Sequence, residues 1–262
     1  MGSEPVTLTV DDGVATVTLN QPDMRNAFSE ELLDGLSAAL DDVDPNTERC
    51  VVIEGAGKAF SAGGDLTMMQ EFAEATVEER RQHTDQLQKE IMEPLIRYPL
   101  PTVAKVDGPA LGGGANIALS CDVQLASERA EIGFVFRRIG LCIDTGASFL
   151  LPRIVGANVA KELIFTGEIV TADRAKELGL FNHVYPTEEF DDRCDEFISQ
   201  LATGPTVALK HGKRLVNRSF ERSLEECLEA EAMAQAETFT TDDTWQGIEA
   251  FLEGRDPDFT GK

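Results

Sequence analysis

The chain has 262 residues, 42% of them apolar, with 47 Asp and Glu against 23 Lys and Arg and a formal net charge of −24. That apolar content supports a substantial core and excludes wholesale disorder, while the charge argues against a general binder of nucleic acid or anionic membrane, which needs clustered cations. No apolar run reaches the roughly 18 to 20 residues that span a bilayer, and no basic-then-apolar leader is visible at the start, so the expectation is a soluble, cytoplasmic protein. Only eight of the 23 cations are Lys. A surface this acidic repels itself at low salt and is relieved by screening, which points to a high-salt cytoplasm. Cys50, Cys121, Cys142, Cys194 and Cys227 are odd in number and lack C-x-x-C spacing; they read as reduced thiols, mostly core filler. Three isolated His, none spaced as ligand pairs, argue against a zinc site.

In chain order, residues 6–10 and 14–19 alternate apolar and polar side chains around Asp12-Gly13, which predicts a β-hairpin. Ser29 then caps a helix with Leu32, Leu33, Leu36, Ala39 and Leu40 on one face. Residues 50–53 read as a buried strand. A Gly-rich loop at 57–65 leads to a helix capped by Asp65, and a further helix covers 77–97 and stops before Pro99 and Pro101. Residues 102–106 form a strand, Gly108-Pro109 a turn, and Gly112-Gly113-Gly114 opens a helix to Leu119. Short strands follow at 122–126 and 131–134. From Thr187 the pattern is nearly all helix: 188–201, 206–220, 224–238 and 244–252. The fold class is α/β, with a strand-strand-helix rhythm rather than regular βαβ alternation, and no sequence repeat stands out.

Two segments join a strand to a helix through small residues: Ala59-Phe60-Ser61-Ala62-Gly63-Gly64-Asp65 and Ala110-Leu111-Gly112-Gly113-Gly114-Ala115-Asn116. Small residues let main-chain N–H groups approach a ligand closely, and two such amides converging on one oxygen would form an oxyanion hole. Each segment alone is better explained by tight packing. Neither matches a phosphate-binding loop, and Gly112-x-Gly114 lacks the third Gly of a dinucleotide fingerprint.

Taken together and in this order, the segments resemble the crotonase superfamily, the enoyl-CoA hydratases and isomerases. The resemblance runs from Asn26-Ala27-Phe28 through the two loops and 140–156 to the tail Pro257-Asp258-Phe259-Thr260-Gly261-Lys262. It implies a ClpP-like spiral of ββα units, here residues 1–200, carrying the acyl-CoA site, followed by a helical region, residues 201–262, that assembles trimers or hexamers. It also implies an acyl-CoA thioester as substrate, with coenzyme A part of that substrate, no separate cofactor, no metal, and no nucleic-acid or membrane partner. Carried over residue by residue, the oxyanion-hole amides would be those of Ala62 and Gly113. Arg25, Ala27, Ser61, Gly63, Gly64, Asp65, Asn116, Phe136, Phe259 and Lys262 would bind substrate or CoA, with Lys58 beside Arg25, and Lys262 would reach the CoA of a neighbouring subunit.

The hydratases of this family use two Glu, and this chain has neither: Asn116 and Phe136 occupy those positions. A different carboxylate stands in Gly140-Leu141-Cys142-Ile143-Asp144-Thr145-Gly146-Ala147-Ser148, which resembles the segment in which phenylacetate-pathway and Δ3,Δ2-enoyl-CoA isomerases carry an Asp acid/base. Ile143 replaces the usual Pro and Ala147 the second Gly. Cys142, Ile143 and nearby Phe side chains are expected to desolvate Asp144 and raise its pKa; the competing role for Asp144 is a helix N-cap. The expected activity is acyl-CoA isomerisation with Asp144 as acid/base. The alternatives are a hydratase or lyase in which Asn116 holds a water for Asp144, a non-catalytic acyl-CoA-binding subunit, and an aryl-CoA dehalogenase. The last is disfavoured because Gln88 stands near its His position and His83 falls early. Phe134, Phe136 and Phe149 suggest an apolar pocket or, equally, core packing.

Overall fold

The computed structural model describes residues 4–262; the first three residues of the expected 1–200 unit lie outside the described residues. The hairpin forms as the alternation predicts. Strands β1 (Val6–Asp11) and β2 (Val14–Leu19) pair antiparallel, with Val6 opposite Leu19, across a turn in which Asp12 and Gly13 both take positive φ. After a short β3 (Ala27–Phe28), helix α1 (Glu30–Asp42) starts at Ser29, whose hydroxyl accepts the Leu32 N–H at 3.2 Å. It buries Leu32, Leu33, Leu36, Ala39 and Leu40, the apolar stripe read from the sequence.

Next come β4 (Cys50–Gly55), β5 (Gly63–Gly64) and α2 (Leu66–Glu71). The expected helix at 77–97 is three pieces: α3 (Val77–Leu87), a π-helical turn Gln88–Met92, and α4 (Glu93–Ile96). Pro94 lacks an N–H, so an unbroken α ladder is not available there, and the wider turn precedes it. The chain continues through β6 (Thr102–Val106), β7 (Pro109–Leu111), α5 (Gly113–Ser120), β8 (Val123–Ser127) and β9 (Glu131–Gly133). Helix α6 (Ala147–Thr166) is interrupted at Gly156, where φ is 78° and ψ 157°. Then follow β10 (Ile169–Thr171), α7 (Ala172–Leu178), β11 (His183–Tyr185), α8 (Phe190–Ala202), α9 (Thr206–Arg218), α10 (Leu224–Thr238) and α11 (Asp242–Glu253).

Four consecutive units share one plan: a long strand, a short strand, then a helix. The long strands β2, β4, β6 and β8 lie parallel in a six-stranded sheet ordered β1-β2-β4-β6-β8-β11. The short strands stack beside it: β3 pairs β5, Ser61 bridges Ala110 on β7, and β7 pairs β9, which pairs β10. The spiral of ββα units is therefore present, although no sequence repeat announces it. Each turn needs only the same hydrophobic periods and a small-residue joint, not the same residues.

The main sheet is buried on both faces, and β4 shows how. Val51 and Ile53 point into the main core with the α1 residues, while Cys50 and Val52 join Val103, Leu125, Phe190, Cys194 and Ile198 under α8. Burial raises the thiols of Cys50, to about 11, and Cys194, to about 12. Cys50, Cys121 and Cys194 are core residues as expected; Cys142, by contrast, is exposed. Lys213 ties α9 to this core: its ammonium is 2.7 Å from Asp122 and 2.9 Å from the Leu100 carbonyl. Among the described residues, no helix is long and apolar enough to cross a membrane.

Candidate active site

The site forms where the second, third and fourth ββα units turn into their helices. The first loop is held from behind by Asn26, which is fully buried with φ 54°. Its amide donates to the Ala59 and Phe60 carbonyls at 2.9 and 3.1 Å and to that of Ala56 at 3.0 Å. Ser61, also fully buried, donates its hydroxyl to the Asn26 carbonyl at 2.7 Å and accepts the Gly63 N–H at 3.1 Å. Both of its partners lie inside the protein. The Ser61 hydroxyl is thus a clip that shapes the loop.

A correction concerns the oxyanion hole. The Ala62 N–H donates to the Arg25 carbonyl at 2.9 Å, so it is not free to hold a thioester oxygen. The Gly63 N–H is directed at Ser61 Oγ, on the same side. Gly63 sits at φ 81°, a left-handed backbone that glycine adopts readily.

The second loop meets the first closely. A Cβ on Gly63 would lie 2.4 Å from the Leu111 carbonyl oxygen and 3.0 Å from the Gly113 nitrogen, and one on Gly114 would lie 2.5 Å from the Ser61 carbonyl oxygen. Glycine is required at both points because the two backbones touch. Gly113 is the first residue of α5, so its N–H has no partner within the helix and adds to the positive end of the helix dipole.

Asn116, one turn into α5 and fully buried, connects this helix to the third loop. Its Nδ2 donates to the Asp144 carbonyl at 3.1 Å and to Thr145 Oγ1 at 2.5 Å. Thr145 in turn donates to Asp144 Oδ1 at 3.1 Å. Asp144 does not cap α6: the N-cap is Gly146, with no side-chain bond. The carboxyl is partly buried, and burial, opposed by the Thr145 hydrogen bond, holds its pKa above the ordinary Asp value. Ile143 packs against the core beside it, but Cys142 is exposed and is not part of that apolar wall. The structure thus brings together Gly63, Gly64, Gly113, Asn116 and Asp144.

Other expected site residues have different duties. The Asp65 carboxylate caps α2 by accepting the Thr67 N–H at 2.7 Å. Phe136 is nine-tenths buried in the main core and Phe134 completely so, while Phe149 lies under the Arg153 guanidinium at 3.5 Å. Ala27 is buried on β3. Arg25 is exposed, and neither it nor Lys58 has an ion-pair partner among the described residues. Phe259 and Lys262 belong to a tail clamped elsewhere. Asp243 accepts the N–H groups of Thr260 and Gly261 at 2.7 and 2.8 Å, and Arg49, just before β4, donates to the Phe259 carbonyl. The glycine loop leaves the opposite end of β4, about 17 Å away along the strand.

The glycine loops, the spiral and the Asp144 loop are the features to set beside known proteins. The model of the enoyl-CoA hydratase/isomerase family matches residues 9–262. This chain belongs to the enoyl-CoA hydratase/isomerase family. A 1,2-epoxyphenylacetyl-CoA isomerase from Escherichia coli is 32% identical over 97% of both chains, and a short-chain-enoyl-CoA hydratase from Clostridium acetobutylicum is 34% identical over 92% of both. A crystal structure of an enoyl-CoA hydratase from Mycobacterium smegmatis superposes with a TM-score of 0.91 at 33% identity, covering 98% of this chain and 99% of that one. The crotonase fold is therefore that of this family member, and its relatives include both isomerases and hydratases.

Proposed function

We propose that this family member is an acyl-CoA isomerase that moves a double bond, or rearranges a ring-derived acyl group, in a CoA thioester. The observation that carries this reading is the partly buried Asp144 carboxyl, bonded by Thr145, in a loop that Asn116 of the helix beginning at Gly113 anchors through the Asp144 backbone carbonyl and the Thr145 hydroxyl, in a chain with Asn116 and Phe136 where hydratases place Glu. The thioester oxygen is held by the Gly113 N–H and, in place of Ala62, by the Gly64 N–H. Ionised Asp144 takes a proton from the carbon beside the thioester of a 3-enoyl chain. The electron pair moves into the thioester, and the negative charge settles on the oxygen facing the two amides. Asp144 returns the proton two carbons along, giving the 2-enoyl thioester with no water added and no electrons exchanged. No metal or separate cofactor is needed, since coenzyme A arrives as part of the substrate. Arg25 and Lys58 supply positive charge for its anionic end, and Lys262 does so for a neighbouring subunit.

Changing Asp144→Asn tests this directly. General acid–base loss lowers kcat by roughly 10²- to 10⁴-fold, while acyl-CoA binding measured by calorimetry stays close to wild type. Unchanged turnover in Asp144→Asn would overturn the acid/base role of Asp144, and acyl-CoA binding with no turnover in either protein would leave an acyl-CoA-binding subunit as the better description. A second reading has its own observation: Asn116 Oδ1 is buried without a hydrogen-bond partner and could accept from a water that adds across a 2-enoyl chain, making the enzyme a hydratase.

A further inference from the structure

The loop that delivers Asp144 contains a residue with no role in the chemistry described so far. Thr145 is buried, with 2% of its surface exposed, and its φ is 45°. β-Branched residues rarely adopt such a backbone, and the adjacent Gly146, at φ 84°, would suit the turn far better than a Thr does. Its side chain is nevertheless fully engaged. Thr145 Oγ1 accepts from Asn116 Nδ2 at 2.5 Å and donates its single proton to Asp144 Oδ1 at 3.1 Å. Direction is fixed at both ends: Nδ2 can only donate and an ionised carboxylate can only accept, so the hydroxyl proton has one place to go.

We propose that Thr145 is a positioning residue for this enzyme, anchored by Asn116, that occupies Asp144 Oδ1 and so leaves Oδ2 as the oxygen that carries the proton. This rests on the reading of Asp144 as acid/base and adds to it. A carboxylate that must take a proton at one carbon and return it two carbons along has to stay on one face of the acyl chain. A free carboxyl rotates about its last bond and presents either oxygen. A fixed Oδ1 removes that freedom. The same hydrogen bond favours the ionised form and so limits the upward push of burial. Burial, the Thr145 hydroxyl and Asp144's own backbone N–H are the influences on this carboxyl; no charged side chain on α5, α6 or the intervening loop adds to them.

The test compares Thr145→Val, which keeps the branched shape and loses the hydroxyl, with Thr145→Ser, which keeps the hydroxyl. For Thr145→Val, kcat on a 3-enoyl-CoA should fall about tenfold or more, KM should stay within about twofold, and the acidic limb of the kcat profile should move to higher pH. Thr145→Ser should recover the wild-type limb and most of the rate. Thr145→Gly relieves the positive φ and guards against misfolding of the Val variant; it should show the same upward shift in the limb while melting no lower than wild type. A wild-type pH profile in folded Thr145→Val or Thr145→Gly would overturn the proposal, as would a Ser variant as impaired as Val. If Asp144→Asn keeps full turnover, the acid/base reading itself fails. If Asp144→Asn is inactive and Thr145→Val is normal, only the positioning role fails.

Discussion

At the scale of single residues, the site places a carboxylate where folding would prefer a neutral group. Asp144 has a pKa raised by burial, so the native state holds its proton more tightly than the unfolded chain does. Stability therefore falls as pH rises from the ordinary carboxylate range through the raised value. At neutral pH the ionised group is a net burden, and Asp144→Asn should melt at an equal or higher temperature than wild type while losing turnover. At acidic pH, where both are neutral, calorimetry should find the two melting temperatures converging; a variant clearly less stable at neutral pH would contradict the assigned cause. The same acid titration limits activity, since only the ionised form takes the first proton. Asp144 was legible in the sequence because a local motif surrounds it. The partnership of Asn116 with Thr145 was not, because it depends on how residues 140–146 fold back onto α5. That the Ala62 N–H is spent on the Arg25 carbonyl was equally hidden. It depends on how the Arg25 turn lies against the glycine loop, which no composition or spacing signals.

Among elements, the glycine loop between β4 and β5 is held mainly by one side chain, with Ser61 as a second clip. Asn26 supplies donors to three carbonyls from one buried amide, and its removal leaves several buried acceptors without partners. At about 1–3 kcal/mol for each buried group left unsatisfied, Asn26→Ala should destabilise the protein by roughly 3 kcal/mol or more. Urea unfolding should show this as a lower midpoint at unchanged slope, whereas a loss below about 1 kcal/mol would mean that other contacts hold the loop. Gly63→Ala removes no functional group, yet its Cβ would meet the Leu111 carbonyl oxygen at 2.4 Å and force the two loops apart. The hairpin, α1 and α10 were legible to within a residue or two because period, cap and turn chemistry agree there. The run at 77–97 reads as one helix because helical propensity is continuous across it, and the π-turn, which buries Ile91 and Met92, stands just before Pro94. The ββα repeat escaped detection because its units share geometry and not residues.

On the scale of the whole molecule, two unsatisfied features remain on a single chain. The C-terminal helices expose Phe220, Leu224, Leu228, Met233, Phe239, Trp245, Phe251 and Leu252, the last two at 85% and 79%. An apolar surface of this extent is expected to be covered, and we propose trimers, alone or paired into hexamers, in which Lys262 approaches a neighbour's CoA site. Light scattering at micromolar concentration should give the trimeric or hexameric mass; a monomer would contradict this. The net charge of −24 is the second feature. Screening should relieve its self-repulsion, so molar KCl should raise the melting temperature and favour assembly, and equal melting in dilute buffer would remove the case for salt adaptation. The central claim is the reaction itself, and its most direct test is to incubate the wild-type protein with 3-enoyl-CoA and, separately, 2-enoyl-CoA in deuterated water and to identify the products by mass and NMR. The account predicts interconversion of the two enoyl thioesters, with deuterium entering at the α or γ carbon and no mass gain from water; conversion of 2-enoyl-CoA into 3-hydroxyacyl-CoA much faster than any double-bond movement would contradict it.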